Sequence, residues 1–435
     1  MFGLPMWLLV FPVLGFLILI HELGHFLTAK WFGITVKEFG FGFPPRLIGF
    51  KFSRYGTIYS INVIPLGGFV RMIGENGEDV TEEDTEKHLR EKSVVFIRRG
   101  LGEVGDIADE PPPKEVSFAD QTVLKRAIVL CAGSFMNLLF PLVTFAILFL
   151  IPQDAIVGAV VINGVAPGSP AAQAGLREGD TVIAVQGRPI DNHFELIQRV
   201  MTRLGSPTEI EIRRGTFISG SLIPEPTSAN TEIVTLVPRL NPPDLIVVQT
   251  VTDPSKEVSL SDARRYLPEL EVGDSLTQGA VGIMIGTFDQ HTEKRSYPIW
   301  DAVPMSTQKM WDVVLLTKNG VARWMAGGPD PGFAGPVGIA RVTGMVAEVG
   351  GISPLIEFMA LISISLGVIN ILPIPALDGG RLLFVIIEWV RRGKRISPQR
   401  EGLVHLVGFV VLISLIVVIT VFDVNKLLNG DSLIR

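Results

Sequence analysis

Four stretches of this chain are long and apolar enough to cross a membrane, and no other feature limits its fold as strongly. They run over Leu4–Ala29, Ala127–Ile151, Pro354–Leu377 and Leu403–Phe422. Each is near the ~20 residues a helix needs to cross about 30 Å of hydrocarbon. The first lacks the basic start and small-residue cleavage site of a signal peptide, and its apolar part is too long for one, so it reads as a retained helix. Composition agrees: 47% of the 435 residues are hydrophobic and only 19% are charged, the balance of a membrane protein with sizeable soluble parts. The net charge of −6 gives no reason to expect a nucleic-acid partner. A single cysteine, Cys131, excludes an intramolecular disulfide and any multi-cysteine metal site.

Positive charges set the expected orientation. Arg381, Arg391, Arg392, Lys394, Arg395 and Arg400 lie between the third and fourth spans, which marks that link as cytoplasmic. Lys30, Lys37, Arg46, Lys51 and Arg54 follow the first span, and Lys125 and Arg126 precede the second. Both termini and the long segment 152–352 then face outward from a cell inner (plasma) membrane.

The chain therefore divides into a first span (1–29), a cytoplasmic segment (30–122), a second span (123–151), an outer segment (152–295), a connection (296–352), a third span (353–390), a basic link (391–402) and a fourth span (403–424). After the first span, Leu47–Phe52 and Thr57–Ile64 have strand character around a turn at Ser53–Gly56, which predicts a β-hairpin. Its apolar tips suit the membrane interface, and a small exposed hairpin is the alternative. Residues 75–122 turn polar, with the run "EDVTEEDTE" and Pro111–Pro113, and read as a mobile loop. In the outer segment, "SPAAQAGLREGDTVIAVQGRPI" is followed by a helical stretch and by the strands "TEIEIRR" and "TEIVTLVP". This part resembles a PDZ domain over about 80 residues. The resemblance implies a site for an extended peptide, or for a substrate's outer domain, at a sheet edge beside a helix. A spacer or lid is the plainer reading. Residues 241–280 look like an insertion before a last strand in "GAVGIMIG". Residues 299–326 carry Trp300, Val303, Met310, Trp311, Val314 and Leu315 at helical spacing, suited either to the outer membrane surface or to packing on the third span.

The chemistry sits in His21-Glu22-Leu23-Gly24-His25. Positions i and i+4 share a helix face, so His21 and His25 can hold one metal ion. Imidazole nitrogen suits zinc, and Glu22 beside the first histidine can act as a general base. Ionisable groups in a membrane helix are costly to bury and mark function. Zinc needs a third protein ligand. Asp378 in "GVINILPIPALDGGRLL" lies at a matching depth, and His405 is the weaker candidate. Pro373 and Pro375 break the third span before Asp378, and Gly379-Gly380 free the backbone after it. The plainer role for Asp378 is a helix N-cap.

Together these motifs resemble the site-2 protease family of zinc intramembrane metalloproteases, in the bacterial branch containing the regulator of sigma-E protease. His21, Glu22 and His25 match HExxH, and Asn370, Pro373, Asp378 and Gly379 match NxxPxxxxDG. "IPLGGFV" at 64–70 fits the family's membrane-associated β-hairpin, and "GPVGI" at 335–339 fits the lead into the third span. The resemblance implies Zn2+ on His21, His25 and Asp378, Glu22 as catalytic base, and Asn370, Asn137 and Pro373 as substrate-positioning residues. Ser134 stands where the family usually has proline ahead of that Asn137. The expected fold is a multi-pass α-helical membrane protein with four transmembrane helices, an inserted extracytoplasmic PDZ domain and a cytoplasmic membrane-associated β-hairpin. The expected activity is cleavage of transmembrane protein substrates within the lipid bilayer, such as anti-sigma factors or signal-peptide remnants. A catalytically idle PDZ-bearing adaptor, or a metal transporter, is the alternative.

Overall fold

The structure, a computed structural model, describes residues 5–51, 56–75, 94–97, 115–215, 231–253, 256–266, 269–328 and 334–428. The acidic run, Pro111–Pro113 and most of the Ser53–Gly56 turn lie outside the described residues. The chain forms two compact units, one from Met1–Ala146 with Gly332–Arg435 and one from Ile147–Pro331. Four helices are long and apolar enough to cross a membrane: Met6–Trp31, Val123–Leu150, Ile352–Ile371 and Pro398–Leu428. The first two match the expected spans to within a few residues; the third ends at Ile371 rather than Leu377, and the fourth runs past the expected Leu403–Phe422 at both ends.

A 3-10 turn, Met6–Leu9, leads into α1 (Val10–Trp31). Pro12 falls in the first turn of α1, where a missing N–H costs little. The helix stops at Gly33, whose φ of +73° suits glycine. There Gly33 N–H donates to Lys30 O at 3.1 Å and Ile34 N–H to Ala29 O at 2.9 Å. This paired closure satisfies the last carbonyls, while Ile34 packs with Ala29, Val36, Val129 and Val385.

The hairpin is longer than the sequence suggested. β1 (Val36–Lys51) pairs with β2 (Ile58–Met72), and β3 (Val94–Ile97) adds to β1. Phe39 pairs with both Val70 and Tyr59, and Phe50 also pairs with Tyr59, so the two strands fold back into a curled sheet. Glycines permit the bend: Gly42 has φ +82° and Gly67 φ +87°. A Cβ on Gly67 would lie 3.4 Å from the Ile18 side chain, and one on Gly68 would lie 3.5 Å from Glu22 Cγ. The sheet thus lies along the part of α1 that carries the metal motif. Next comes α2 (Val123–Leu150), which meets α1 at small residues; a Cβ on Gly24 would lie 2.3 Å from Ala132 O.

The second unit is built on a six-stranded sheet of order β12-β4-β5-β7-β8, with β6 on β5. Its strands are β4 (Gln153–Val165), β5 (Thr181–Val185), β6 (Arg188–Pro189), β7 (Thr208–Arg213), β8 (Thr231–Leu236) and β12 (Ile283–Arg295). Alternation in "TEIEIR" turns Ile210 and Ile212 inward, where they pack with Val160, Ile162 and Leu196. The short α3 (Pro170–Gln173) is capped by Ser169, which accepts from Ala172 N–H at 3.1 Å. In α4 (His193–Thr202) Asn192 accepts from Glu195 N–H at 3.0 Å. The 241–280 stretch is a folded lobe: β9 (Asp244–Val248), β10 (Glu257–Ser259) and β11 (Ser275–Thr277) form a three-stranded sheet beside α5 (Leu260–Tyr266). Leu245, Val247, Val258, Ala263 and Leu276 are its core. Then α6 (Ile299–Met325) packs on α4, with Asn319 Nδ2 donating to Met201 O at 2.8 Å, and leaves Trp300 and Trp311 exposed.

The chain returns to the first unit through α7 (Pro336–Gly350) and α8 (Ile352–Ile371). It unwinds over 372–377, then forms α9 (Asp378–Val390) and α10 (Pro398–Leu428). Asp423, 2% exposed, caps α7 from α10, accepting from the N–H groups of Gly335 at 2.9 Å and Gly338 at 2.8 Å. Arg126 of α2 and Glu388 of α9 form a buried pair at 2.6 Å, which Arg395 joins at 3.2 Å.

Candidate metal centre

Helical spacing turns His21 and His25 to one side of α1, and both are buried. Asp378 reaches them from the start of α9. Its Oδ2 lies 2.8 Å from His21 Nε2 and 3.1 Å from His25 Nε2, and the two Nε2 atoms are 3.2 Å apart. Among the described residues, these three side chains form the group able to hold a metal ion. Asp378 is not an N-cap. It is the first residue of α9, and its carboxylate turns to the histidines.

The arrangement fits zinc. Ligands 2.0–2.1 Å from a tetrahedral zinc stand roughly 3.3 Å apart, close to the spacing of these three atoms. Two imidazoles and a carboxylate are a common catalytic donor set that leaves one position open. The neighbouring helix makes room. A Cβ on Gly133 would lie 2.4 Å from His25 Nε2 and 2.7 Å from His21 Nε2, so only glycine lets α2 approach the centre this closely. His25 Nδ1 is 2.7 Å from Val129 O, so that nitrogen carries the proton and Nε2 keeps its lone pair for a metal.

Asn137, 1% exposed, stands behind His21, with its Nδ2 3.2 Å from His21 Nδ1. Its Oδ1 is buried without a partner. Once His21 binds metal through Nε2, its Nδ1 carries a proton, and an amide turned about its end places Oδ1 on that N–H. Ser363 of α8 donates to Asn137 O at 2.8 Å and fixes the backbone there.

The unwound segment explains the Asp-Gly-Gly run. A Cβ on Gly379 would lie 2.1 Å from Leu372 O, and one on Gly380 would lie 2.4 Å from Ile374 O. Glycines therefore let α9 start directly against the broken chain. Asn370 is half-buried in the last turn of α8, and Pro373 is exposed in the break. Among the described residues, neither is hydrogen-bonded to the three ligands. His405 is not part of the group; its Nδ1 accepts from Ala376 N–H at 2.9 Å. His193 and His291 lie in the second unit, beside Thr287 and Glu293. Sequence reasoning missed Gly133 and the Val129 carbonyl. Glycine inside an apolar span was the available signal for the first, and a backbone carbonyl gives none.

Comparison with known proteins places this geometry. The family model described as Peptidase family M50 matches residues 9–415. The zinc metalloprotease RasP of Geobacillus kaustophilus is 31% identical over 461 aligned positions, covering 95% of this chain and 96% of that protein. A putative zinc metalloprotease of Clostridium perfringens is 30% identical, covering 96% of this chain and 98% of that protein. Another from Rhizobium meliloti is 28% identical, with 95% of each covered. The match takes in both segments that supply the buried trio, and the chain belongs to peptidase family M50, the family of these zinc metalloproteases.

Proposed function

We propose that this protein is a zinc-dependent intramembrane endopeptidase that cuts the membrane-spanning segments of other proteins. One observation carries the reading: a helix apolar enough to span a membrane holds two ligands, and a broken helix following another such span delivers the third. His21, His25 and Asp378 hold the metal. When bound, zinc supplies a Lewis acid that polarises the scissile carbonyl and makes water more acidic. Glu22 takes a proton from the attacking water and passes it to the leaving amine. Asn137 orients His21, and Asn370 at the end of α8 and Pro373 within the unwound chain position the substrate. The substrate helix unwinds before cleavage, because a helical peptide bond is shielded by its own hydrogen bonds. The carbonyls and amides of 372–377 and the edge of the curled sheet are the groups an extended segment would meet.

The outer segment reads as a PDZ domain that screens substrates. Support comes from β12, an edge strand of the six-stranded sheet, with α4 tied beside it by His193 N–H donating to Thr287 Oγ1 at 3.0 Å. An edge strand beside a helix is where such domains take an extended peptide. The basic residues between α9 and α10 support a cytoplasmic link, both termini outside and the zinc near the cytoplasmic face of an inner membrane. The test is purified protein in detergent with a peptide spanning one membrane segment. Wild-type protein is expected to cut it, zinc chelation to stop it and zinc addition to restore it. Cleavage that survives complete removal of zinc would overturn the proposal.

A further inference from the structure

We infer that His405 is a positioning residue: it braces the loop that presents Asp378 by accepting the N–H of Ala376. This rests on Asp378 being a metal ligand. The loop carries strain at an unusual place. Leu377 N–H donates to Ile374 O at 3.2 Å, which closes a four-residue turn with Pro375 second and Ala376 third. Ala376 has φ +77°, the conformation a type II turn requires at its third position and one that glycine ordinarily fills. A Cβ there costs energy, so something outside the turn must hold it.

Helix α10 supplies the hold. The third residue's N–H points out of such a turn and finds no partner within it. In an apolar setting that donor must be satisfied elsewhere. His405 Nδ1 lies 2.9 Å from Ala376 N, and the ring stands 5.5 Å from that of Phe384 on α9. A backbone N–H can only donate, so Nδ1 carries the lone pair and Nε2 the proton. That assignment leaves the ring no free lone pair for a metal. One turn along, a Cβ on Gly408 would lie 2.3 Å from Pro375 Cβ, so glycine lets α10 touch the turn. The ring is half-buried, and its Nε2 is buried without a partner, so among the described residues the bond to Ala376 is the one polar contact the ring makes.

Full-length protein in detergent, read by zinc affinity and by the visible spectrum of the cobalt-loaded form, tests this. His405→Leu is expected to weaken zinc binding about tenfold and to alter the cobalt spectrum, because the turn that presents Asp378 loses its brace. His405→Asn should recover most of the affinity, since its Oδ1 can accept from the position of Nδ1. Ala376→Gly placed in the His405→Leu protein should also recover it, because glycine adopts the turn without the Cβ penalty. Wild-type affinity in His405→Leu, or failure of both rescues, would overturn the brace. Asp378→Asn run alongside separates the failures. If it loses zinc while His405→Leu does not, only the brace is wrong. If it keeps wild-type zinc, the ligand reading falls and takes the brace with it.

Discussion

In the proposed mechanism Glu22 is the base and Asp378 a ligand, and substitution separates the two roles. Glu22→Gln keeps size and polarity but removes the base, so zinc content should stay whole while turnover falls about a hundredfold or more. Asp378→Asn replaces a charged ligand with a weak neutral one, so zinc affinity and activity should fall together. Metal content measured beside peptide cleavage gives both answers; full zinc and normal turnover in Glu22→Gln would remove it from the chemistry. Gly133→Ala should lose zinc affinity with the fold intact, because its Cβ would press on His25 Nε2. At this scale the sequence was readable where the pattern was local. His21 and His25 fall within one turn and a half and Asp378 stands in its own motif, and these are the three side chains that meet. The Val129 carbonyl and the Ala376 turn left no such mark, since each acts through backbone atoms whose partners lie 104 and 29 residues away.

Helices and strands show a second limit of a linear reading. Arg126 counted as a topology-setting charge ahead of the second span, yet it is 6% exposed and paired with Glu388. It joins α2 to α9, the helix that begins with Asp378, so it serves the architecture. Breaking a buried pair leaves one charge uncompensated, which costs about 3 kcal/mol or more. Glu388→Gln is therefore expected to lower the thermal midpoint clearly, and Arg126→Met with Glu388→Leu to recover much of the loss. Thermal unfolding in one detergent checks both; an unchanged midpoint in Glu388→Gln would show that the pair adds nothing. The hairpin illustrates the same limit. Alternation found the stretches around Leu47–Phe52 and Thr57–Ile64, but the fold-back depends on Gly42 and Gly67 adopting positive φ, which alternation does not encode.

On the scale of the whole chain, the charge pattern and the fold decide how the screening idea is best tested. Arg391, Arg392 and Lys394 are exposed beyond α9, so a reporter at residue 397 should read cytoplasmic and one at residue 230 external. An external signal at 397 would undo the proposed orientation. Deleting the outer sheet then asks whether it filters substrates. The PDZ-like sequence suggests cutting about 157–240, but the register forbids it: β4 pairs with β12 from Gln153↔Arg295 to Val165↔Ile283. That cut would remove most of β4 and leave β12 as an unpaired, aggregation-prone strand. The sound excision removes 153–295, taking the small lobe with the sheet. Its ends are already neighbours, since Tyr297 N–H donates to Phe149 O at 2.8 Å and the two rings meet edge to face, so a short linker closes the gap. The shortened protein should keep its zinc, cut a pre-trimmed substrate at close to the normal rate, and also cut the untrimmed one. Loss of cleavage of the pre-trimmed substrate, with zinc and thermal midpoint intact, would mean the outer segment does more than screen.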